Sequence, residues 1–326
     1  MSTGITSTVE YRPPLAIVGP TAVGKTAVAE RVALALGGEV VSADSMQVYR
    51  GMDIGTAKTP ADERLVAHHC IDLVNPGAPY SAALFQRDAR EVIDGLRARG
   101  VLPVVAGGTG LYVRAALDSL EFAAGELDSP VRARLEHDAA STTPEALHAR
   151  LETVDPAAAG LIHPNNVRRV VRALELAESG VSYADRAGGL ARREAHYPGT
   201  RFVGLTMDRS ALYERIDRRV DAMMAAGLLA EVERLLGAGY RTALTAAQAI
   251  GYKELVPVVE AALPLGDAVA AIKQASRRYA KRQLTWFRAD PRITWLDVTG
   301  RTVAEAADHV VDLLESAPHP DEGSNA

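Results

Sequence analysis

A single cysteine, Cys70, occurs in the 326 residues, so no internal disulfide can form and the chain suits a reducing compartment. No apolar run approaches the ~20 residues that a bilayer-spanning helix requires. Met1 to Arg12 also lacks the apolar core that marks a secretion signal. The expectation is a cytoplasmic protein with no membrane contact. Positive charge is not in excess either: the formal net charge is −5, which argues against a protein that coats nucleic acid by bulk charge. Acids, however, are missing locally. Between Ala268 and Ala289 there is no Asp or Glu, while Lys273, Arg277, Arg278, Lys281, Arg282 and Arg288 alternate with Tyr279, Trp286 and Phe287. Interleaved aromatics turn that window toward nucleic acid or another polyanion. Trp286 and Phe287 themselves read as core, because their helix must bury one face. Arg168, Arg169 and Arg172 form a second cluster. By itself it fits a solvated helix face as well as a binding face.

What is present is organised around Gly19-Pro20-Thr21-Ala22-Val23-Gly24-Lys25-Thr26, which follows the apolar run Leu15 to Val18 and leads into a helix-forming segment from about Ala27 to Leu36. Every fixed position of the phosphate-loop pattern is filled. Glycines let the backbone turn tightly, so that amide N–H groups and the positive helix end converge on one anion. Lys25 can reach the outer phosphate oxygens, and the Thr26 hydroxyl can ligate Mg²⁺. A bare Gly-rich turn would explain the glycines but not a Lys-Thr pair at this spacing.

Hydrophobic residues at 48% and charged residues at 24% describe an ordinary globular chain, long enough for one large α/β domain or a core with a smaller companion. The pattern predicts strands at Glu39–Ser42, Cys70–Val74 and Val101–Ala106, a helix over about 82–99, and a loop over Gly51–Lys58. In parallel α/β sheets ligands bind beyond the carboxyl ends of strands, which puts Asp44 and Ser45 near the phosphate loop. Gly107-Gly108-Thr109-Gly110-Leu111-Tyr112 should face the same crevice. That strand ends in glycines rather than in an acid that could position Mg²⁺, which counts against a simple ATPase.

From Phe122 to Pro198 the pattern is helical only, with Asp128-Ser129-Pro130 and Thr142-Thr143-Pro144 as start signals. Strand character returns at Arg201–Leu205. A long helix follows, with Tyr213, Ile216, Val220 and Met223 on one face and Arg215, Arg218 and Arg219 along it. Gln248 to Lys253 reads as a turn before the basic aromatic helix, and Ile293–Leu296 as a last strand before a closing helix. The expected fold is α/β: a P-loop NTPase-like parallel sheet flanked by helices, with an all-helical insertion. The core domain is expected over 13–121 and 200–316, the insertion over 122–199, and flexible tails over 1–12 and 317–326.

Several segments carry a resemblance together. Gly19 to Thr26, Asp44 to Lys58, His68-His69, Gly107 to Tyr112, His163-Pro-Asn-Asn, Arg172-Ala-Leu-Glu175, Gln248 to Glu254 and Tyr279 to Arg288 run in the order in which they occur in the bacterial tRNA dimethylallyltransferases, which the chain closely resembles from about Leu15 to Trp295. Met46 and Val48 stand where relatives carry other apolar residues. The resemblance implies transfer of a dimethylallyl group from dimethylallyl diphosphate to the exocyclic amine of the adenosine 3′ of the tRNA anticodon, with Mg²⁺ as cofactor. In that reading the phosphate loop, residues Gly19 to Thr26, cradles the diphosphate leaving group, and Arg215 or Arg219 assists it. Asp44 accepts the amine proton. Thr109 resembles the threonine at the mouth of the reaction channel, where it contacts the target nucleotide. Asp44, Ser45, Met46, Gln47, Thr109, Arg168, Arg169, Arg172, Gln248, Gly251, Tyr252 and Lys253 fall where the family touches tRNA, and the helical insertion becomes a clamp on the anticodon stem-loop. No sequence feature calls for a dimer, so a monomer is expected.

Two other readings compete. A small-molecule kinase would use the same loop with ATP, and a non-enzymatic RNA-binding protein would carry the loop as a vestige. A zinc site at His68, His69 and Cys70 is disfavoured because consecutive strand residues alternate faces. Asp53 fits a metal ligand or a loop cap equally well, and Asp72 is left without a role.

Overall fold

The structure, a computed structural model, describes residues 12–122, 130–191, 193–238, 240 and 245–316. The expected tails, apart from Arg12, and the Asp128-Ser129 start signal lie outside the described residues. The chain divides into two compact units, 1–118 with 195–326, and 119–194.

The larger unit is built on a six-stranded, wholly parallel sheet. Strand β1 (Leu15–Val18) is buried at all four positions, and the phosphate loop follows it into α1 (Lys25–Leu36). That helix starts two residues earlier than the sequence pattern indicates, because Gly24 at φ 103° serves as its N-cap, a conformation that favours glycine. After α1 come β2 (Gly38–Ser42), the two-residue β3 (His68–His69), α2 (Ala82–Ala98), β4 (Leu102–Gly107) and α3 (Gly110–Leu117). Ser81 caps α2 by accepting a hydrogen bond from the Leu84 N–H, as expected of a serine at that position.

The smaller unit contains α4 (Pro130–Ser141), α5 (Pro144–Val154), α6 (Pro156–Leu161), α7 (Val167–Glu178) and α8 (Tyr183–Ala191). Thr143 caps α5 with Pro144 at its first turn, the arrangement the Thr-Pro signal predicts. Its helices close on their own core, with Leu135, Leu147, Leu151, Val170 and Leu174 all buried.

The chain then returns to the larger unit through β5 (Arg201–Thr206), α9 (Arg209–Ala225), α10 (Leu228–Gly237), a 3-10 turn at Ala246–Gln248, α11 (Tyr252–Val259), α12 (Leu265–Arg288), β6 (Ile293–Asp297) and α13 (Val303–Glu315). The strand order is β3-β2-β4-β1-β5-β6. Apolar residues of β1, β4 and β5 pack with Val28 and Val32 of α1 and Val310 of α13 in one core cluster. Each fully buried side chain of this size contributes about 1.5–3 kcal/mol relative to exposure.

Register brings the site together. Val18 pairs with Gly107 and Ser42 with Ala106, so β1, β2 and β4 end at one level and release the phosphate loop, Asp44 and Thr109 at the same edge. Strand order reverses beside β1, the kind of crevice in which open α/β sheets bind ligands.

Two sequence readings are corrected. The strand expected at Cys70–Val74 is instead His68–His69, paired with Val40 and Val41. Cys70 and Asp72 adopt φ of 59° and 54°, left-handed values that break a pleat, and only Val74 bridges, to Tyr49. Trp286, expected in the core, is 41% exposed, whereas its neighbour Phe287 is buried. The indole lies against Gly110, where an added Cβ would meet its Nε1 at 2.0 Å.

Candidate active site

The phosphate loop keeps its shape through close backbone approaches. A Cβ on Gly19 would lie 2.5 Å from the Leu205 carbonyl oxygen of β5, so only glycine fits there. Val23 is buried in the core and offers the site its backbone alone. Ala22, Gly24, Lys25 and Thr26 line a pocket together with Arg215, Arg218 and Arg219 of α9, and Glu30 and Glu63 stand at the same wall. Arg215, Arg218 and Arg219 share one helix face at i, i+3 and i+4. The sequence reading singled out only the first and last of them, although their spacing also marks Arg218.

Lys25 donates to the Pro20 carbonyl oxygen at 2.7 Å. Burial lowers its pKa to about 7, with Asp44 opposing the shift and Arg219 adding to it. The ammonium is therefore poised near neutrality until an anion arrives. Burial also lowers the pKa of Arg219, against the attraction of Asp44.

A second pocket adjoins the first, sharing Ala22 and Arg219 with it. Thr21, Asp44, Ser45 and Met46 form one side, Gln248, Gly251, Tyr252 and Lys253 another, and Tyr279 and Arg282 of α12 a third. Ile216, Val220, Met223 and Ile272 supply apolar wall between these polar groups. The Asp44 carboxylate accepts from the Met46 N–H at 2.9 Å, which fixes its orientation. Thr109 is tied to the same loop: its hydroxyl accepts from the Ser45 N–H at 3.0 Å and donates to Ser45 Oγ at 3.2 Å. Gln47 is half-buried; its carbonyl end accepts from Ser42 Oγ at 2.8 Å and its amide end donates to the Thr56 carbonyl at 3.2 Å.

The pocket wall is held by two knots that sequence reading missed, the first buried and the second built on a buried lysine with exposed acids. Glu231 of α10, nearly inaccessible, accepts from the N–H groups of Asp53, Ile54 and Gly55 and from the Tyr252 hydroxyl at 2.5 Å. Tyr252 is wholly buried and packs directly on Gly55, so its ring is wall and its hydroxyl is spoken for. Burial and Glu231 push its pKa up, which keeps the phenol a donor. Truncation by Glu231→Ala strands these donors, and unfolding in urea should show a loss of about 2–5 kcal/mol. In the second knot Lys58 Nζ bonds the Tyr49 carbonyl, Asp53 at 2.8 Å and Asp72 at 2.6 Å. Asp53 and Asp72 thus share one cation.

His68 Nε2 lies 2.8 Å from Glu30 and His69 Nε2 2.6 Å from Glu39, so the two imidazoles have separate partners. Among the described residues no group of three or more His, Cys, Asp or Glu could hold a metal ion. Arg168, Arg169 and Arg172 lie on α7 of the smaller unit, the first two exposed and Arg172 bonded to Glu175 at 2.6 Å. No helix among the described residues is long and apolar enough to cross a membrane.

Comparison with known proteins gives the same direction throughout. Residues 47–290 match the IPP transferase family and residues 14–75 the isopentenyl transferase family. A tRNA dimethylallyltransferase of Symbiobacterium thermophilum is 49% identical over 304 residues, covering 93% of this chain and 95% of that one. The enzyme of the same name from Carboxydothermus hydrogenoformans is 46% identical over 299 residues, with 90% and 95% covered. Among solved structures, the tRNA isopentenylpyrophosphate transferase of Bacillus halodurans aligns with TM-score 0.67 at 43% identity, covering 93% and 97%. A eukaryotic dimethylallyltransferase acting on tRNA aligns with TM-score 0.77 at 27% identity, covering 95% and 81%. A phosphate loop that opens onto arginines on one side and an acid-bearing pocket on the other is therefore carried by a chain that belongs to the IPP transferase family.

Proposed function

We propose that the chain transfers the dimethylallyl group of dimethylallyl diphosphate to the exocyclic amine of the adenosine 3′ of the anticodon in tRNA, releasing diphosphate. The observation that carries this reading is the pair of adjoining pockets: one cationic and formed by the phosphate loop, the other holding Asp44, with Arg219 common to both.

The allylic carbon–oxygen bond breaks and its electron pair goes to the diphosphate. Negative charge therefore gathers over the loop amides, Lys25 and the arginines, which are fixed in advance where it develops. The bond from the adenine nitrogen to the allylic carbon forms on the other side. That amine is a weak nucleophile because its lone pair is delocalised into the ring, and Asp44 accepts its proton as the new bond forms. Thr109, through Ser45, holds the loop that carries Asp44. The target base leaves its stack to reach such a pocket. Ser45, Met46, Gln47, Gln248, Gly251 and Lys253 are the groups we assign to the anticodon loop, with Tyr252 as the wall behind them.

The residues fit Mg²⁺ in a particular way. Mg²⁺ would be held by the Thr26 hydroxyl and substrate phosphate oxygens, as suits a cation that keeps much of its water and is commonly held through phosphates. When bound, it would neutralise charge on the departing diphosphate.

The basic face of α7 is assigned to the RNA backbone. Neutralising Arg168 and Arg172 should weaken tRNA binding and flatten its dependence on salt, as read from binding curves at several salt concentrations. We read the protein as a cytoplasmic monomer. A kinase using ATP is the second reading that the loop alone permits. Incubation with labelled dimethylallyl diphosphate and unmodified tRNA, beside labelled ATP and candidate acceptors, separates the two. Label should enter tRNA in the first arm, and label moving only in the ATP arm would sink the transfer reading.

A further inference from the structure

Gln283 of α12 is almost fully buried, at 6% exposure, and both ends of its carboxamide are used. Its Oε1 accepts the Thr21 N–H at 2.7 Å, and its Nε2 donates to the Gly108 carbonyl at 2.9 Å. Thr21 belongs to the phosphate loop after β1, and Gly108 to the turn after β4. One side chain thus bridges the two turns that flank the proposed reaction. Contact with the second turn is close: a Cβ on Gly108 would lie 2.1 Å from Nε2. One helical turn earlier, on the same face of α12, Tyr279 lines the pocket that holds Asp44. Thr109, the residue after Gly108, holds Ser45 beside Asp44.

Phosphate loops ordinarily offer their N–H groups to the anion, so one surrendered to a side chain asks for an explanation. We propose that Gln283 is a positioning residue for the transfer reaction, fixing the diphosphate cradle against the turn that carries Thr109 and, through Ser45, the loop that carries Asp44. The inference rests on the transfer reading above. A carboxamide suits the task because it is planar and presents an acceptor and a donor on opposite ends. Leucine offers neither. An ionised glutamate offers only acceptors and would face the Gly108 carbonyl with a lone pair. A protonated glutamate again has one donor and one acceptor.

The test compares wild type, Q283L and Q283E as full-length chains, measuring label transfer from dimethylallyl diphosphate to unmodified tRNA across a pH series, with tRNA binding and thermal melting in parallel. For Q283L, kcat should fall by about 10²-fold, the usual cost of a misplacement near 1 Å, while tRNA binding and KM for the donor change little. Q283E should be impaired at neutral pH and recover relative to wild type as pH falls. A buried glutamate also weakens the fold in a pH-dependent way, so melting is followed across the same pH series, and the rescue counts only where Q283E is fully folded. Q283L with wild-type kcat, or a Q283E to wild-type ratio independent of pH, overturns the inference. Wild type that transfers no label overturns the parent reading and this inference with it, whereas active wild type beside a pH-insensitive Q283E overturns this inference alone.

Discussion

Asp44→Ala should lower kcat by ~10²–10⁴, the range that a general base contributes, while tRNA affinity should stay close to wild type. The expectation follows from position. Asp44 sits two residues beyond β2, at the level where β1 and β4 also end, and its carboxylate is oriented by the Met46 N–H. It lines the pocket that shares Arg219 with the phosphate-loop pocket. Asp44→Asn separates orientation from proton transfer, because the amide oxygen can still accept from Met46 but the side chain no longer takes up a proton. Both variants should therefore be slow. Single-turnover kinetics with tRNA binding measured alongside checks this; a loss confined to affinity would make Asp44 a binding residue only.

The second large effect concerns Lys25. Burial brings its pKa down to about 7. A bound diphosphate stabilises the ammonium and raises that pKa again. Below pH 7 the Lys25 charge is already in place, so its share of the affinity is nearly flat. The ligand's own phosphate ionisation, at about pH 6, acts on wild type and Lys25→Met alike and cancels in their ratio. Above pH 7 the empty site must take up a proton to bind, and diphosphate affinity should fall by about tenfold per pH unit until the pKa of the bound state is reached. Calorimetry of diphosphate binding in buffers of different ionisation enthalpy reads both the slope and the proton uptake. Lys25→Met should bind more weakly at every pH and lose the slope. A ratio of wild-type to Lys25→Met affinity that does not change between pH 7 and 9 would contradict the assignment.

How much of this was legible in the sequence depended on whether the information was local. The phosphate loop and the Gly107 to Tyr112 turn are specified by glycines within a few residues of one another, and they stand where the pattern puts them, each after a buried strand. The helices with clear apolar spacing, such as α2 with Ala89, Ile93 and Leu96 buried, are equally local. Cys70–Val74 misled because an apolar run resembles a strand, whereas left-handed turns at Cys70 and Asp72 and the Asp72–Lys58 pair end the pleat. Trp286 misled because helical periodicity says which face is apolar, not that a glycine on α3 will let an indole lie at the surface.

The longer the reach of a contact, the less the sequence revealed. Gln283 meets residues 262 and 175 positions away, and Glu231 meets a loop more than 170 positions away. Neither carries a local signature. Arg218, by contrast, could have been chosen with Arg215 and Arg219 from helical spacing alone.

The two adjoining pockets should place a leaving diphosphate and an accepting carboxylate on either side of one allylic carbon. A crystal structure with a non-reactive thio analogue of dimethylallyl diphosphate and an unmodified anticodon stem-loop tests it most directly. The diphosphate should lie on Gly24, Lys25 and Thr26, and the Asp44 carboxylate within about 2.6–3.2 Å of the adenine amine, the reach a general base needs. An adenine amine lying outside the Asp44 pocket, or an Asp44 turned away from it, would contradict the account.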